Sequence, residues 1–100
     1  MASLSYTTST LYYGIVMRTM KYFTAAWCGP CQRFKPIMQE LAAEGYHVAT
    51  LDIDIHKDLA EQYNIRSVPT IVIEDKIDGE EVEVDRIIGT RTKEEIIELL

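Results

Sequence analysis

The chain has 100 residues, of which 47% are hydrophobic and 26% charged, and its formal net charge at pH 7 is −6. This length predicts one domain with a single modest core, and the composition is typical of a soluble globular protein. The negative charge would repel nucleic-acid phosphates, so we expect no DNA or RNA partner. No apolar run approaches the ~20 residues that a membrane helix needs, so we expect no membrane span.

The N-terminal stretch is rich in Ser, Thr and Tyr and shows no clear period. We predict that residues 1–19 form a leader, either flexible or contributing an added edge strand around 10–18, and that residues 20–100 form the folded domain. No positive charge precedes the short apolar piece at 11–17, which is not the pattern of a secretory signal. We therefore expect a cytoplasmic protein.

The hydrophobic pattern beyond this stretch predicts seven elements in the order β-α-β-α-β-β-α. Gly45 and Asn64 are suited to end the first two helices, and Asp78-Gly79 is a hairpin turn signal. Thr92 and Glu95 have the spacing of a capping box before the last helix. The predicted strands span 21–25, 47–54, 70–74 and 82–88, and the first two helices span 29–43 and 57–63.

These elements predict an α/β fold with a four-stranded mixed sheet and helices on both faces. The first two strands are joined through a helix and must be parallel with a right-handed crossover, whereas the last two form a hairpin. In the last strand, Val82, Val84, Arg86 and Ile88 alternate with Glu83, Asp85 and Ile87, which predicts one solvated side.

Cys28 and Cys31 are the two cysteines of the chain, and they lie where a predicted strand gives way to a predicted helix. A thiol at a helix N-terminus forms its thiolate more readily, because the free N–H groups favour negative charge. That thiolate attacks a target disulfide, and Cys31, within reach on the same helix face, then attacks Cys28 and releases the reduced target. Gly29 and Pro30 suit a tight helix start.

Two other roles for the pair remain open. A structural disulfide closing so short a loop would stabilise the fold little. A zinc site would need two more ligands, and eight residues separate His47 from His56, which lies outside the usual histidine spacing. We therefore expect redox function and no metal.

Further motifs follow the cysteines in order. Pro36 lies within the predicted first helix, and an acidic strand end follows at 51–54. A proline-containing segment spans 63–70, and Gly89 precedes the last helix. With the segment 26–31, they make residues 21–100 resemble the thioredoxin family. The resemblance implies a cis peptide bond at Val68-Pro69, beside the dithiol. It also implies an apolar docking surface for an extended substrate strand, made of Trp27, Gly29, Pro30, Val68, Pro69 and Gly89.

The chain departs from the family in two respects. Family members usually carry a buried aspartate where Tyr22 stands, and a lysine that often faces it aligns with Thr50. Tyr22 is either a packed core aromatic or a hydroxyl that holds a water near Cys31. Asp52 and Asp54 are either solvated strand-end residues or substitute proton acceptors. The stretch before residue 21 is also short, so the core resembles the minimal, glutaredoxin-like thioredoxins.

The leading hypothesis is a protein-disulfide reductase that binds no cofactor. The resemblance implies that a thioredoxin reductase re-reduces it with NADPH, and that its other partners are disulfide-containing proteins. A glutathione-coupled enzyme is an alternative, against which the sequence shows no obvious basic pair framing the dithiol. A binding or assembly module and an oxidant or isomerase are further alternatives. Arg66 and Arg91 are candidates to flank the docking surface, and we expect a monomer.

Overall fold

The computed structural model describes residues 17–100, and their elements follow the predicted order. Residues 10–16 of the predicted edge strand and most of the predicted leader lie outside the described residues. The first strand begins at Met17 rather than at Lys21, and the third continues to Ile77 rather than ending at Glu74. The elements are β1 (Met17–Thr24), α1 (Gly29–Ala43), β2 (His47–Asp52), α2 (Lys57–Gln62), β3 (Thr70–Ile77), β4 (Glu80–Ile88) and α3 (Lys93–Ile97).

The four strands form one mixed sheet in the order β2-β1-β3-β4, which confirms the predicted α/β fold class. β1 pairs in parallel with β2 and antiparallel with β3, and β3 pairs antiparallel with β4. The predicted hairpin turn is confirmed, because Asp78 and Gly79 both have positive φ, at 52° and 86°. Phe23 near the end of β1 lies opposite Thr70 at the start of β3, so the segments that follow and precede these strands meet at one edge.

The main core lies on the sheet face covered by α1 and α3. The helical spacing of Phe34, Met38 and Leu41 turns all three side chains toward the sheet, where they are buried. Burying one such side chain fully is worth roughly 1.5–3 kcal/mol. The strands contribute Met20, Tyr22, Ile71, Ile73 and Ile87, and α3 contributes Ile96.

The opposite sheet face carries a buried charged cluster beside an aromatic pair. Tyr63, directly after α2, packs on Phe23 with ring centroids 5.7 Å apart. Glu74 is 2% exposed, and its carboxylate accepts hydrogen bonds from Lys21 and from the Tyr63 hydroxyl. Burial lowers the pKa of Lys21, but its hydrogen bonds to Glu74 and Glu81 outweigh burial and leave that pKa above its usual value. The buried carboxylate is therefore paired and hydrogen-bonded.

The predicted alternation of β4 is wrong in detail. Val82, Val84 and Ile88 are 46%, 44% and 61% exposed, whereas Ile87 is buried in the core. The reason is a bulge: Ile73 pairs with Asp85 and Glu74 with Glu83, so Val84 has no partner. One extra residue inverts the alternation on either side of it, which a strict period of two cannot anticipate.

Candidate active site

The dithiol is built into the N-terminus of α1. Cys28 is the N-cap of the helix, and its Sγ accepts a hydrogen bond from the Cys31 backbone N–H at 3.1 Å. The two cysteines form a disulfide, with Cα atoms 5.2 Å apart. Pro30 lies in the first turn, where its missing N–H is not needed. In the reduced protein, the same N–H group and the helix dipole stabilise a thiolate on Cys28.

The loop before β3 faces the dithiol. The peptide bond Val68-Pro69 is cis, as the resemblance implied. Cys28 Sγ lies 3.7 Å from the Val68 carbonyl oxygen, so the loop and the reactive sulfur are in contact. The Gly89 N–H donates to the Pro69 carbonyl at 2.9 Å and ties the end of β4 to this loop. Gly89 has φ 91°, a left-handed conformation that favours glycine.

The six predicted docking residues adjoin the cysteines in the chain or belong to the loop before β3 and its contact at Gly89, and their exposure is unequal. Gly29, Pro30 and Trp27 are exposed, and Val68 and Gly89 are half-buried, but Pro69 is buried. Pro69 therefore determines the shape of the loop and contributes little accessible area to the docking surface.

Trp27 is held in place by a residue that the sequence assigned to other roles. Its indole Nε1 donates to the Asp54 carboxylate at 2.9 Å, while 68% of the residue stays exposed. Simple core packing therefore does not explain Trp27. Asp54 follows β2 and serves as the hydrogen-bond acceptor that orients this aromatic surface beside the cysteines.

Tyr22 occupies the position behind Cys31. It is 1% exposed, its ring meets Phe34 edge-on, and its hydroxyl donates to the Cys31 backbone carbonyl at 3.2 Å. Tyr22 is therefore a packed core aromatic whose hydroxyl binds the Cys31 backbone. Burial raises the pKa of Tyr22. The phenol therefore stays protonated near neutral pH and does not accept a proton from Cys31 there. Thr50 is its partner in the register with β2.

A cleft of about 540 Å³ opens between α1 and β2 and reaches Cys31. Asp52, His56 and Lys35 line it together with Tyr22. The cleft brings solvent and titratable groups toward Cys31, a residue that is itself 1% exposed. Sequence spacing alone did not place His56 in a cleft that reaches Cys31, because the shape of the cleft depends on how β2 and its following turn pack beside α1.

A second cleft is lined by Pro30, Arg33 and Arg91, and it adjoins the dithiol at Pro30. Arg91 was a candidate from the sequence, whereas Arg33 was missed. Helical spacing could have indicated that Arg33 lies near the dithiol, since Arg33 follows Gly29 by one turn on the same helix face. Arg66 is exposed, and no side-chain hydrogen bond or ion pair of Arg66 is found between residues 17 and 100.

Within residues 17–100, no group of three or more His, Cys, Asp or Glu side chains is arranged to hold a metal ion. No helix in the same range is long and apolar enough to cross a membrane.

The Thioredoxin family model matches residues 15–100. The chain belongs to the thioredoxin family. It is 42% identical over 80 residues to a thioredoxin from Chlamydia trachomatis, an alignment that covers 78% of this chain and 74% of that protein. It is 46% identical over 74 residues to an H-type thioredoxin from Fagopyrum esculentum, covering 72% of this chain and 60% of the relative.

Among solved structures, a mutant thioredoxin from Halobacterium salinarum NRC-1 superposes with a TM-score of 0.70. Its sequence is 31% identical, and the match covers 97% of this chain and 81% of that one. With the Cys28–Cys31 pair on this thioredoxin fold, the protein is a thiol–disulfide oxidoreductase of the protein-disulfide reductase type.

Proposed function

We propose that this protein reduces disulfides in other proteins, with Cys28 as the attacking thiol and Cys31 as the resolving thiol. The observation that supports these roles is the difference in position of the two sulfurs. Cys28 caps α1 and faces the Val68 carbonyl at the substrate side, whereas Cys31 lies inside the helix against Tyr22. Cys28 is therefore the sulfur that a docked target reaches first.

The reaction transfers two electrons to the target. The Cys28 thiolate attacks one sulfur of the target disulfide, the target S–S bond breaks, and the departing sulfur takes up a proton. Cys31 then loses its proton and attacks the Cys28 sulfur of the mixed disulfide. The second target sulfur leaves as a thiolate, and the protein is left with the Cys28–Cys31 disulfide.

An extended target segment docks against the loop before β3. The Val68 backbone groups add the segment as a strand, while the exposed Trp27, Gly29 and Pro30 accept its side chains. Electrons return from NADPH through a thioredoxin reductase, so the chain itself binds no cofactor. We place this electron-transport cycle in the cytoplasm, with the protein acting as a monomer on disulfide-containing targets.

The test is NADPH-coupled reduction of a model protein disulfide in two arms. One arm contains thioredoxin reductase, and the other contains glutathione and glutathione reductase. We expect turnover in the first arm and none for the Cys28→Ser variant. The Cys31→Ser variant should accumulate the mixed disulfide with the target. Turnover in the glutathione arm alone would reassign the protein to the glutathione-coupled class, and silence in both arms would favour a binding module.

A further inference from the structure

A basic cleft lies beside the dithiol, between α1 and the segment that joins β4 to α3. Its volume is about 610 Å³, and Pro30, Arg33, Thr90 and Arg91 line it. Pro30 separates the two cysteines, so the cleft adjoins the surface on which a target disulfide is attacked. A docked segment that extends past the cysteines in this direction enters the cleft.

The two guanidinium groups are positioned next to the glycines that border the dithiol. Arg33 Nη1 lies 3.6 Å from the place that a Cβ on Gly29 would occupy, and Arg91 Nη1 lies 3.9 Å from the corresponding place at Gly89. Arg91 is also anchored, since its Nη1 donates to the Thr90 carbonyl at 2.8 Å. Each guanidinium is therefore close to the backbone that a target must approach.

Both guanidinium groups are available to a ligand. In the described part of the chain, the ion pairs involve the cations of Arg18, Lys21, Arg86 and Lys93, and neither Arg33 nor Arg91 takes part. The Glu95 carboxylate also lines the cleft, but it accepts hydrogen bonds from the Thr92 backbone N–H and hydroxyl in the helix cap. Two arginines that form no ion pair within residues 17–100 thus line the cleft next to Pro30, in a protein with net charge −6.

We propose that Arg33 and Arg91 form a carboxylate-binding subsite that selects protein targets with an acidic side chain near the attacked disulfide. The inference rests on the reductase function proposed above and names its substrate class. Guanidinium groups bind carboxylates through paired, charge-assisted hydrogen bonds. Charges at the rim of an interface act mainly on the association rate and on its salt dependence. The subsite therefore offsets the repulsion that an acidic target meets from the rest of the surface.

The test compares two disulfide-closed peptides that differ only in whether Glu or Gln flanks the attacked cysteine. The protein is reduced with dithiothreitol, desalted and mixed with each peptide, and new peptide thiols are quantified by chromatography after acid quenching. We expect the Glu peptide to react about two- to fivefold faster, a preference that Arg33→Gln and Arg91→Gln each reduce and that 0.5 M NaCl suppresses. Lys76→Gln is the matched control, because it removes one positive charge near the far end of β3 and should keep the preference.

Equal rates for the two peptides, or an equal loss of preference in Lys76→Gln, would overturn the subsite. Oxidised glutathione forms a third arm, and a faster reaction with it that needs both arginines would assign the pair to glutathione instead of a protein segment. Binding is measured separately with Ser-for-Cys peptides, by following the Nε–H resonances of Arg33 and Arg91. Selective shifts with the Glu peptide, in the absence of any peptide reduction, would support the subsite and overturn the proposed reductase.

Discussion

Tyr22 gives Cys31 a neighbour that does not act as a base near neutral pH. Its hydroxyl donates to the Cys31 carbonyl, and burial raises its pKa. We therefore expect the proton that Cys31 loses during resolution to leave through the cleft that Asp52 and His56 line. Family members usually carry an aspartate at this position, so we expect a slower resolving step in this protein.

Restoring the carboxylate should speed that step. We predict that Tyr22→Asp combined with Thr50→Lys raises the rate at which Cys31 releases a reduced target from the mixed disulfide by about tenfold, a modest gain for a positioned general base. The lysine is included because a buried carboxylate without a partner is strongly destabilising, and Thr50 is the β2 partner of Tyr22 in the register. The measurement is rapid-quench product release.

Tyr22→Phe is the control for this prediction. It keeps the ring on Phe34 and removes only the hydroxyl, so resolution should proceed at the original rate while the free energy of unfolding falls by about 1 kcal/mol. A large loss of rate in Tyr22→Phe would show that the hydroxyl already assists Cys31. No gain in the double variant would show that proton loss from Cys31 does not limit resolution.

The sequence predicted the local part of the site and missed the tertiary part. Cys28 and Cys31 follow from one short motif, whereas the cis bond at Val68-Pro69 was implied by the family resemblance; in both cases the residues are close together in the chain. The presence of Arg33 and Arg91 in one cleft depends on how the segment before α3 packs beside α1, and no local pattern contains that information.

At the level of elements, α3 depends on its N-terminal cap. The helix spans only Lys93–Ile97, yet it delivers Ile96 into the main core. The Thr92 hydroxyl accepts from the Glu95 N–H at 3.1 Å, and the Glu95 carboxylate accepts from the Thr92 N–H at 2.9 Å. So short a helix has little intrinsic stability, and the cap and the buried side chain together hold it.

We predict that Thr92→Ala lowers the free energy of unfolding by about 1 kcal/mol, the usual cost of losing an N-cap side chain. Thr92→Ser keeps a hydroxyl and should stay close to the original protein. Urea unfolding followed by circular dichroism measures both variants. Equal stability of the Ala and Ser variants would mean that Ile96 alone fixes α3.

The predicted elements illustrate why helices were easier to predict than strands. α1 extends over Gly29–Ala43 as expected, because its apolar stripe and its ending at Gly45 are both local signals. β1 begins earlier and β3 ends later than predicted, because the two strands pair with each other beyond the hydrophobic runs. The bulge at Val84 likewise arises from strand pairing.

Over the whole molecule, Arg18 connects the central strands to the segment that follows α3. Its guanidinium donates to both Asp75 carboxylate oxygens, at 2.6 and 2.8 Å, and to the Leu99 carbonyl at 3.0 Å. The hydrogen bond from Arg18 lowers the pKa of Asp75, although burial opposes part of this effect. The folded protein therefore favours the ionised form of Asp75 more than the unfolded chain does.

The sign of the pH dependence follows from this lowered pKa. The stabilisation is complete above the unfolded-state value of about 3.9 and disappears as the pH falls through the lower folded-state value. We predict that Asp75→Asn costs about 1 kcal/mol at pH 7, a figure that allows for the partly exposed Arg18, and that this cost shrinks as the pH falls below the unfolded-state value. Urea unfolding between pH 2.5 and 7 measures it.

Asp78→Asn is the matched control, because it makes the same chemical change at an exposed turn position where Asn is also tolerated. The difference between the original protein and this control should be small and nearly independent of pH. A pH-independent cost for Asp75→Asn would place its effect in packing rather than in the ion pair.

The turn at Asp78-Gly79 has a consequence for how this protein can vary. It joins the ends of β3 and β4 that lie farthest from the dithiol, because Thr70, at the other end of β3, is where the chain meets the active-site edge. The turn is exposed and its two residues support none of the contacts of the cysteines. A longer turn or an inserted domain at this point should therefore be tolerated, and the active-site edge of the sheet should keep its structure.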